Sequence, residues 1–190
     1  MRVFSTTEWR AVPARTNRLG RKWALGIVIH HTAGPNSVPG ETLAQEISRA
    51  GGVAREIQYQ HQKKQYWVDT GYHFIVSRGG VILEGRTGSL AAAWQGLVLH
   101  AAHAGSNKVN ASWWGVVLEG TYTEVLPPEA QWEAAVDLCA HLSLWGLTRP
   151  EKIRGHRDFK ATECPGQRLY DVLERFRAEV RAAKLRLLAR

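Results

Sequence analysis

Ala24-Leu25-Gly26-Ile27-Val28-Ile29-His30 is the stretch on which the fold turns. It is nearly continuously apolar, β-branched at its centre, and lacks the alternation of a half-exposed strand. That pattern predicts a central strand covered on both faces. It runs into His30-His31-Thr32-Ala33-Gly34-Pro35. A buried strand therefore delivers a histidine at its C-terminal end, where functional residues collect in α/β sheets. Neighbouring residues of an extended segment point apart, so one of His30 and His31 serves a site and the other packs or hydrogen-bonds.

The rest of the chain supplies partners for this strand. Tyr72-His73-Phe74-Ile75-Val76, the turn Arg78-Gly79-Gly80 and the returning Val81–Arg86 read as a hairpin, with Tyr72 and His73 facing opposite sides. Trp114–Gly120 is another apolar strand. Between these lie helical patterns. Glu41–Lys63 offers Leu43, Ile47 and Ile57 inward, and Gly51-Gly52 predicts its division into two short helices, with His61 in a packing or capping role. Pro127-Pro128-Glu129 opens a helix to about Trp145, with Trp132, Val136, Cys139 and Leu142 at helical spacing and Gly146 as its cap. Arg168–Arg190 is a final helix, basic from Arg181 onwards, with Leu169, Val172, Leu173, Phe176 and Val180 inward. Residues 1–24 read as a wrap over the surface, and Gly105–Asn110 as a polar loop. The expectation is one α/β domain over residues 1–190, with a central mixed sheet flanked by helices.

Composition narrows the function. The chain has 190 residues and a net charge of +8, from 25 basic and 17 acidic side chains. A core of this size needs neither disulfide nor metal to fold, and two cysteines do not make a disulfide scaffold. Met1–Arg21 is interrupted by Glu8, Arg10, Arg15, Arg18 and Arg21, so it does not read as a secretory signal. Cytoplasmic synthesis is expected, with release by a separate membrane-permeabilising factor if the protein acts outside. The positive charge suits a polyanion: nucleic acid, anionic lipid or an anionic wall polymer. No helix-turn-helix or finger spacing is present, so no nucleic acid partner is expected.

The chemistry concentrates in Gly155-His156-Arg157-Asp158-Phe159-Lys160-Ala161-Thr162-Glu163-Cys164-Pro165-Gly166. This polar, turn-rich segment reads as a loop. Folded back, it aims His156 and Cys164 at one point. With His30 they form a His2Cys set, which leaves a fourth tetrahedral position open, as catalytic Zn²⁺ requires. Cys139 reads as a small buried hydrophobe. A Cys139–Cys164 disulfide and a His31-for-His30 exchange stay open at this level.

Several motifs also occur in a consistent order from about Thr7 to Tyr170. Ile27-Val28-Ile29-His30-His31-Thr32-Ala33, Asp69-Thr70-Gly71-Tyr72-His73-Phe74-Ile75-Val76 with Gly80, Glu84-Gly85-Arg86, Trp114-Gly115-Val116 with Glu119-Gly120, and the loop Gly155–Gly166 carry the pattern. Thr7–Pro13 adds a lead-in segment. Together they resemble the zinc-dependent N-acetylmuramoyl-L-alanine amidases of the type-2 amidase and peptidoglycan recognition protein superfamily, which includes bacteriophage T7 lysozyme. The resemblance implies that superfamily's fold, Zn²⁺ held by His30, His156 and Cys164, and Tyr72 as the active-site tyrosine. Thr162 stands where catalytic recognition proteins commonly carry Thr and the phage lysozyme carries Lys. His103 matches a histidine beside the groove, and with Asn107, Lys108, Trp113 and His31 it forms a candidate set of substrate contacts. The implied partner is bacterial peptidoglycan, with anionic wall polymers or an outer-membrane surface met by the basic C-terminal helix. The implied role is that of a monomeric phage-type endolysin. A non-catalytic recognition module and a cytoplasmic recycling amidase are the competing roles.

Overall fold

The computed structural model describes residues 1–16 and 20–189; Arg18 of the N-terminal wrap and Arg190 of the last helix lie outside these. The elements run β1 (Val3–Phe4), β2 (Arg21–Trp23), β3 (Gly26–His31), α1 (Leu43–Tyr59), β4 (Phe74–Val76), β5 (Ile82–Glu84), α2 (Ser89–Ala93), β6 (Leu97–Leu99), α3 (Asn107–Ser112), β7 (Trp113–Leu118), α4 (Glu129–Trp145), β8 (Ile153–Gly155), α5 (Gln167–Asp171) and α6 (Leu173–Leu188). The mixed sheet has the order β1-β5-β4-β7-β3-β8, and β2 and β6 form a separate antiparallel pair. β3 lies between β7 and β8, parallel to both. The expected hairpin is β4–β5, pairing Val76 with Ile82.

Parity along β3 sets the layers. Ile27 and Ile29 join Phe74, Val76, Trp114, Val116 and Leu118 on the face covered by α4 and α6. On the other face, Val117 and Ile75 pack with Ala50 and Ala54 of α1 and with Trp9, while Val28 meets Ala104 and Val109. All of β3 is buried, as its unbroken apolar run predicts.

Some expectations need correction. Residues 1–24 do more than wrap the surface: Val3–Phe4 adds the strand beside β5, and Arg21–Trp23 pairs with β6. α1 does not divide at Gly51-Gly52; it is continuous and runs on into a π-helical turn at Gln60–Lys64. Gly51 lies against the backbone and Cβ of Trp9, and the flanking Ala50 and Ala54 pack in the same cluster as that residue, which carries the helix through the glycine pair. Leu43, expected inward, is exposed, and the buried side of α1 is carried by Glu46, Ala50, Ala54 and Gln58. The polar loop at 105–110 winds into α3, and the final helix breaks at Val172 into α5 and α6. Cys139 is buried and both cysteines are free.

Candidate metal centre and groove

His30 lies on the Val28 side of the sheet, His31 on the other. His31 Nδ1 accepts the backbone N–H of Tyr122 at 3.2 Å, which gives it a bracing role. His30 is fully buried and has a histidine behind it. The carbonyl of Trp113 can only accept, so His103 Nε2–H donates to it at 3.0 Å. His103 Nδ1 is then an acceptor, and His30 Nε2–H donates to it at 3.0 Å. The chain of bonds leaves the His30 Nδ1 lone pair free, 3.6 Å from Cys164 Sγ. Burial, reinforced by neighbouring histidines, holds both rings well below the ordinary histidine range, so they stay neutral.

Small residues make room for this stack. A Cβ at Gly115 would lie 2.6 Å from the His103 ring, so β7 needs glycine there. Asn110 Oδ1 accepts the N–H groups of His103 and Ala104 at 3.0 and 2.8 Å and holds the loop that presents the ring. His73, on the hidden side of its segment, accepts from Gly115 N–H and donates to Leu99 O, each at 2.8 Å. Sequence reading gave neither Asn110 nor His73 a part in supporting the site; the signal available was a buried strand histidine and a polar side chain seven residues after His103.

The ligand loop folds back as expected. Gly155 N–H donates to Asp158 Oδ2 at 2.9 Å, and Arg157 N–H to Cys164 O at 3.0 Å. The Arg157 guanidinium stacks 4.6 Å from the Tyr170 ring centre. At Gly166, φ is +95° and a Cβ would lie 2.4 Å from the Tyr122 carbonyl, so the turn that closes the loop requires glycine. His30, His156 and Cys164 then offer ligand atoms that all lie within 4.8 Å of one another. His156 Nε2 is buried with no hydrogen-bond partner. An orphaned imidazole nitrogen beside a histidine lone pair and a thiol is a donor set that fits Zn²⁺ and leaves one position open. Burial pushes the Cys164 thiol up to about 11, so the thiolate needs a cation beside it. Zinc is the cofactor of this centre.

Tyr72 lies where three cavities of about 360, 510 and 390 Å³ meet. Its ring centre is 5.1 Å from that of His30. Burial raises its hydroxyl above the usual tyrosine range, keeping the proton on oxygen. The largest of the three is lined by His31, His156, Thr162 and Cys164 as well as Tyr72. Thr162 Oγ1 accepts the Cys164 N–H at 3.3 Å, leaving its proton directed elsewhere. His103 reaches the cavity of about 390 Å³ beside Trp67 and Lys160, but both of its ring nitrogens are engaged, which makes it a support for His30 before it is a contact for substrate. Trp113 packs edge-on against Phe159 at 4.9 Å, and Asn107 and Lys108 stand exposed on α3; none of these three lines the cavities around Tyr72. His61, inside the π-helical turn, packs on the Trp67 ring and accepts Gly71 N–H at 3.0 Å, which ties the turn to the segment before β4.

The groove wall is clamped by charge. Arg49 donates to both oxygens of Glu119, at 2.5 and 2.7 Å, and also to Glu46. Glu46 accepts Gly40 N–H, Gly79 N–H and Ser77 Oγ–H as well. The segment before α1 is thereby tied to the sheet.

The type-2 amidase family profile, Amidase_2, described as N-acetylmuramoyl-L-alanine amidase, matches residues 20–167. The chain belongs to this family. It is a zinc amidase by family and by metal centre. Peptidoglycan recognition protein 1 of Bos taurus is 28% identical over 175 residues, covering 92% of this chain and 83% of that protein. The N-acetylmuramoyl-L-alanine amidase of Sus scrofa is 33% identical over 174 residues, covering 90% of this chain; the chain spans 26% of that relative's length. Among solved structures, Drosophila PGRP-LB superposes with a TM-score of 0.75 at 28% identity, covering 91% of this chain and 92% of that one. The N-acetylmuramoyl-L-alanine amidase LysC from Clostridium intestinale shares the fold, with a TM-score of 0.69 at 22% identity and coverage of 95% and 98%. The expected sheet flanked by helices is the fold of this superfamily.

Proposed function

We propose that this amidase cleaves the amide between the lactyl group of N-acetylmuramic acid and L-alanine in intact peptidoglycan, as a phage-type endolysin acting from the wall side after release by a separate factor. The observation that carries the reading is the convergence of His30, His156 and Cys164 on one point at the floor of a groove, with Tyr72 beside it. Bound zinc supplies a Lewis acid that polarises the scissile carbonyl and acidifies a water. The protein's own groups do the rest. His103 and the Trp113 carbonyl fix the His30 tautomer. Tyr72 donates a hydrogen bond where negative charge develops on the carbonyl oxygen, and Thr162, fixed by its bond to Cys164 N–H, donates a second. Glu119 is committed to Arg49 and serves the groove's shape.

The net charge of +8 supports an anionic envelope as the setting. The exposed basic residues of α6, Arg181 and Arg186, engage anionic wall polymers or an outer-membrane surface, and the enzyme works as a monomer. The deciding experiment compares intact sacculi with soluble muropeptides as substrates. Release of L-alanine-terminated peptides from sacculi, lost together with zinc in Cys164→Ala, is the expected result. Cleavage confined to soluble muropeptides would make the enzyme a recycling amidase, and stoichiometric binding without cleavage would make it a recognition module.

A further inference from the structure

A second surface lies at the start of β3, away from the metal centre. Trp23 is 73% exposed, Trp94 62%, Leu25 49% and Leu147 87%. They come from separate segments that the fold brings together. Trp23 pairs with Leu97 across β2–β6, and Ala24 N–H donates to Gly96 O at 3.1 Å. A Cβ at Gly96 would touch the Trp145 carbonyl, and one at Gly146 would touch Ala24. The rings of Trp94 and Trp145 meet edge-on at 6.5 Å. Lys184 donates to Ser143 O and Thr148 O at 2.9 and 2.8 Å, which brings the last turn of α6, with exposed Leu188, to the same end of the molecule.

Charge around this surface is predominantly positive. Trp9–Gly40, Gly85–Leu118 and Leu138–Pro150, which supply Trp23, Leu25, Trp94 and Leu147, contain no Asp or Glu. Arg21, Lys22 and Arg149 are exposed among them. The neighbouring carboxylates are paired: Glu151 with Arg181, and Asp137 with the N-terminal ammonium and with His141, whose ring packs on Trp145. Solvated surfaces rarely leave several large apolar side chains together. Tryptophans beside Lys and Arg, with the nearby acids held in ion pairs, are the composition of a surface that settles at a lipid headgroup boundary: indole rings enter the interface while the cations meet anionic heads. Leu25 and His30 are five residues apart on an extended strand, roughly 17 Å. Trp145 and Leu147 follow from α4, on the sheet face opposite His30. A bilayer held here leaves the groove open.

We propose that this pole, centred on Trp23 and Trp94, docks the protein on an anionic phospholipid bilayer. The test is cosedimentation with vesicles of phosphatidylcholine alone and of an equimolar phosphatidylcholine and phosphatidylglycerol mixture, at low and high salt. Wild-type protein is expected on the phosphatidylglycerol vesicles, with a blue shift in tryptophan emission. Trp23→Ala with Trp94→Ala should weaken this by about tenfold or more, an energy of about 1.4 kcal/mol, with muropeptide cleavage and zinc content unchanged. Arg21→Glu with Lys22→Glu should remove the preference for phosphatidylglycerol. Cys164→Ala should bind vesicles as wild type does, so loss of the amidase reading and loss of this one are separate outcomes. Equal binding by wild type and the tryptophan variant, or no binding to phosphatidylglycerol vesicles, overturns the proposal. A concentration-dependent dimer abolished by the tryptophan variant, without vesicle binding, would assign the surface to a second copy of the chain.

Discussion

At the residue scale the metal centre rests on hydrogen bonds that fix which nitrogen carries a proton. Tyr72 and His103 both approach His30, yet they act differently, and substitution separates them. Tyr72→Phe removes one hydroxyl from the groove and nothing from the ligand set. Zinc content should be unchanged while kcat on muropeptide falls about 10²–10³-fold, the usual loss of one oxyanion donor; an unchanged kcat removes the tyrosine from the chemistry. His103→Ala cuts the bond that orients His30 and empties the space above Gly115. Its zinc affinity, read by competition with a chelator, should weaken by about 10–100-fold, and activity should return when zinc is raised. A kcat deficit persisting at saturating zinc would instead give His103 a direct role in the reaction.

At the scale of elements, legibility followed the range of the interactions. β3, the β4–β5 hairpin, β7 and α4 were readable because their burial is written into local apolar patterns. The ligand loop was readable because His156 and Cys164 sit in one short turn-rich segment. Helix α1 was misread because Gly51-Gly52 looks like a break by propensity, while packing of Ala50 and Ala54 against Trp9 and Ile75, remote in sequence, carries the helix through it. The pairing of β1 with β5 and of β2 with β6 was invisible because Val3–Phe4 and Arg21–Trp23 carry neither an apolar run nor a hairpin turn to mark them, unlike the equally short β4 and β5 on either side of Gly79-Gly80. Helix α6 shows both sides of this. Phe176 and Val180 face the core as their spacing predicts, while Lys184, which reads as part of a free basic tail, is spent on the carbonyls of Ser143 and Thr148. Arg186 is exposed and is the cleaner probe of a wall contact. Arg186→Glu should weaken sedimentation with purified walls at low ionic strength, and the difference from wild type should vanish as salt shortens the Debye length to a few ångströms. Equal sedimentation of both proteins at low salt would leave α6 with a packing role alone.

For the whole molecule, the Glu46–Arg49–Glu119 cluster joins α1, the segment before it, the hairpin turn and the end of β7, so its protonation bears on global stability. Burial alone would raise the Glu46 carboxyl, but hydrogen bonds from Arg49, Ser77, Gly40 and Gly79 outweigh it and bring the group down to about 2 from an ordinary 4.5. The unfolded chain therefore takes up this proton first as pH falls. The stabilisation is complete above about pH 4.5 and is lost progressively towards pH 2, where the folded form is protonated too. Its size is about 3 kcal/mol, at 1.36 kcal/mol per unit of displacement. Acid also strips zinc, which would hide the effect in wild type alone, so the measurement is a difference. Urea unfolding of zinc-free wild type and zinc-free Glu46→Gln should be compared from pH 6 to pH 2. The variant should be less stable near neutrality, since it leaves Arg49 with one carboxylate partner, and the gap should close as pH falls through this window. A gap that stays constant across the range would mean that Glu46 holds the groove wall by shape and hydrogen bonding without its charge.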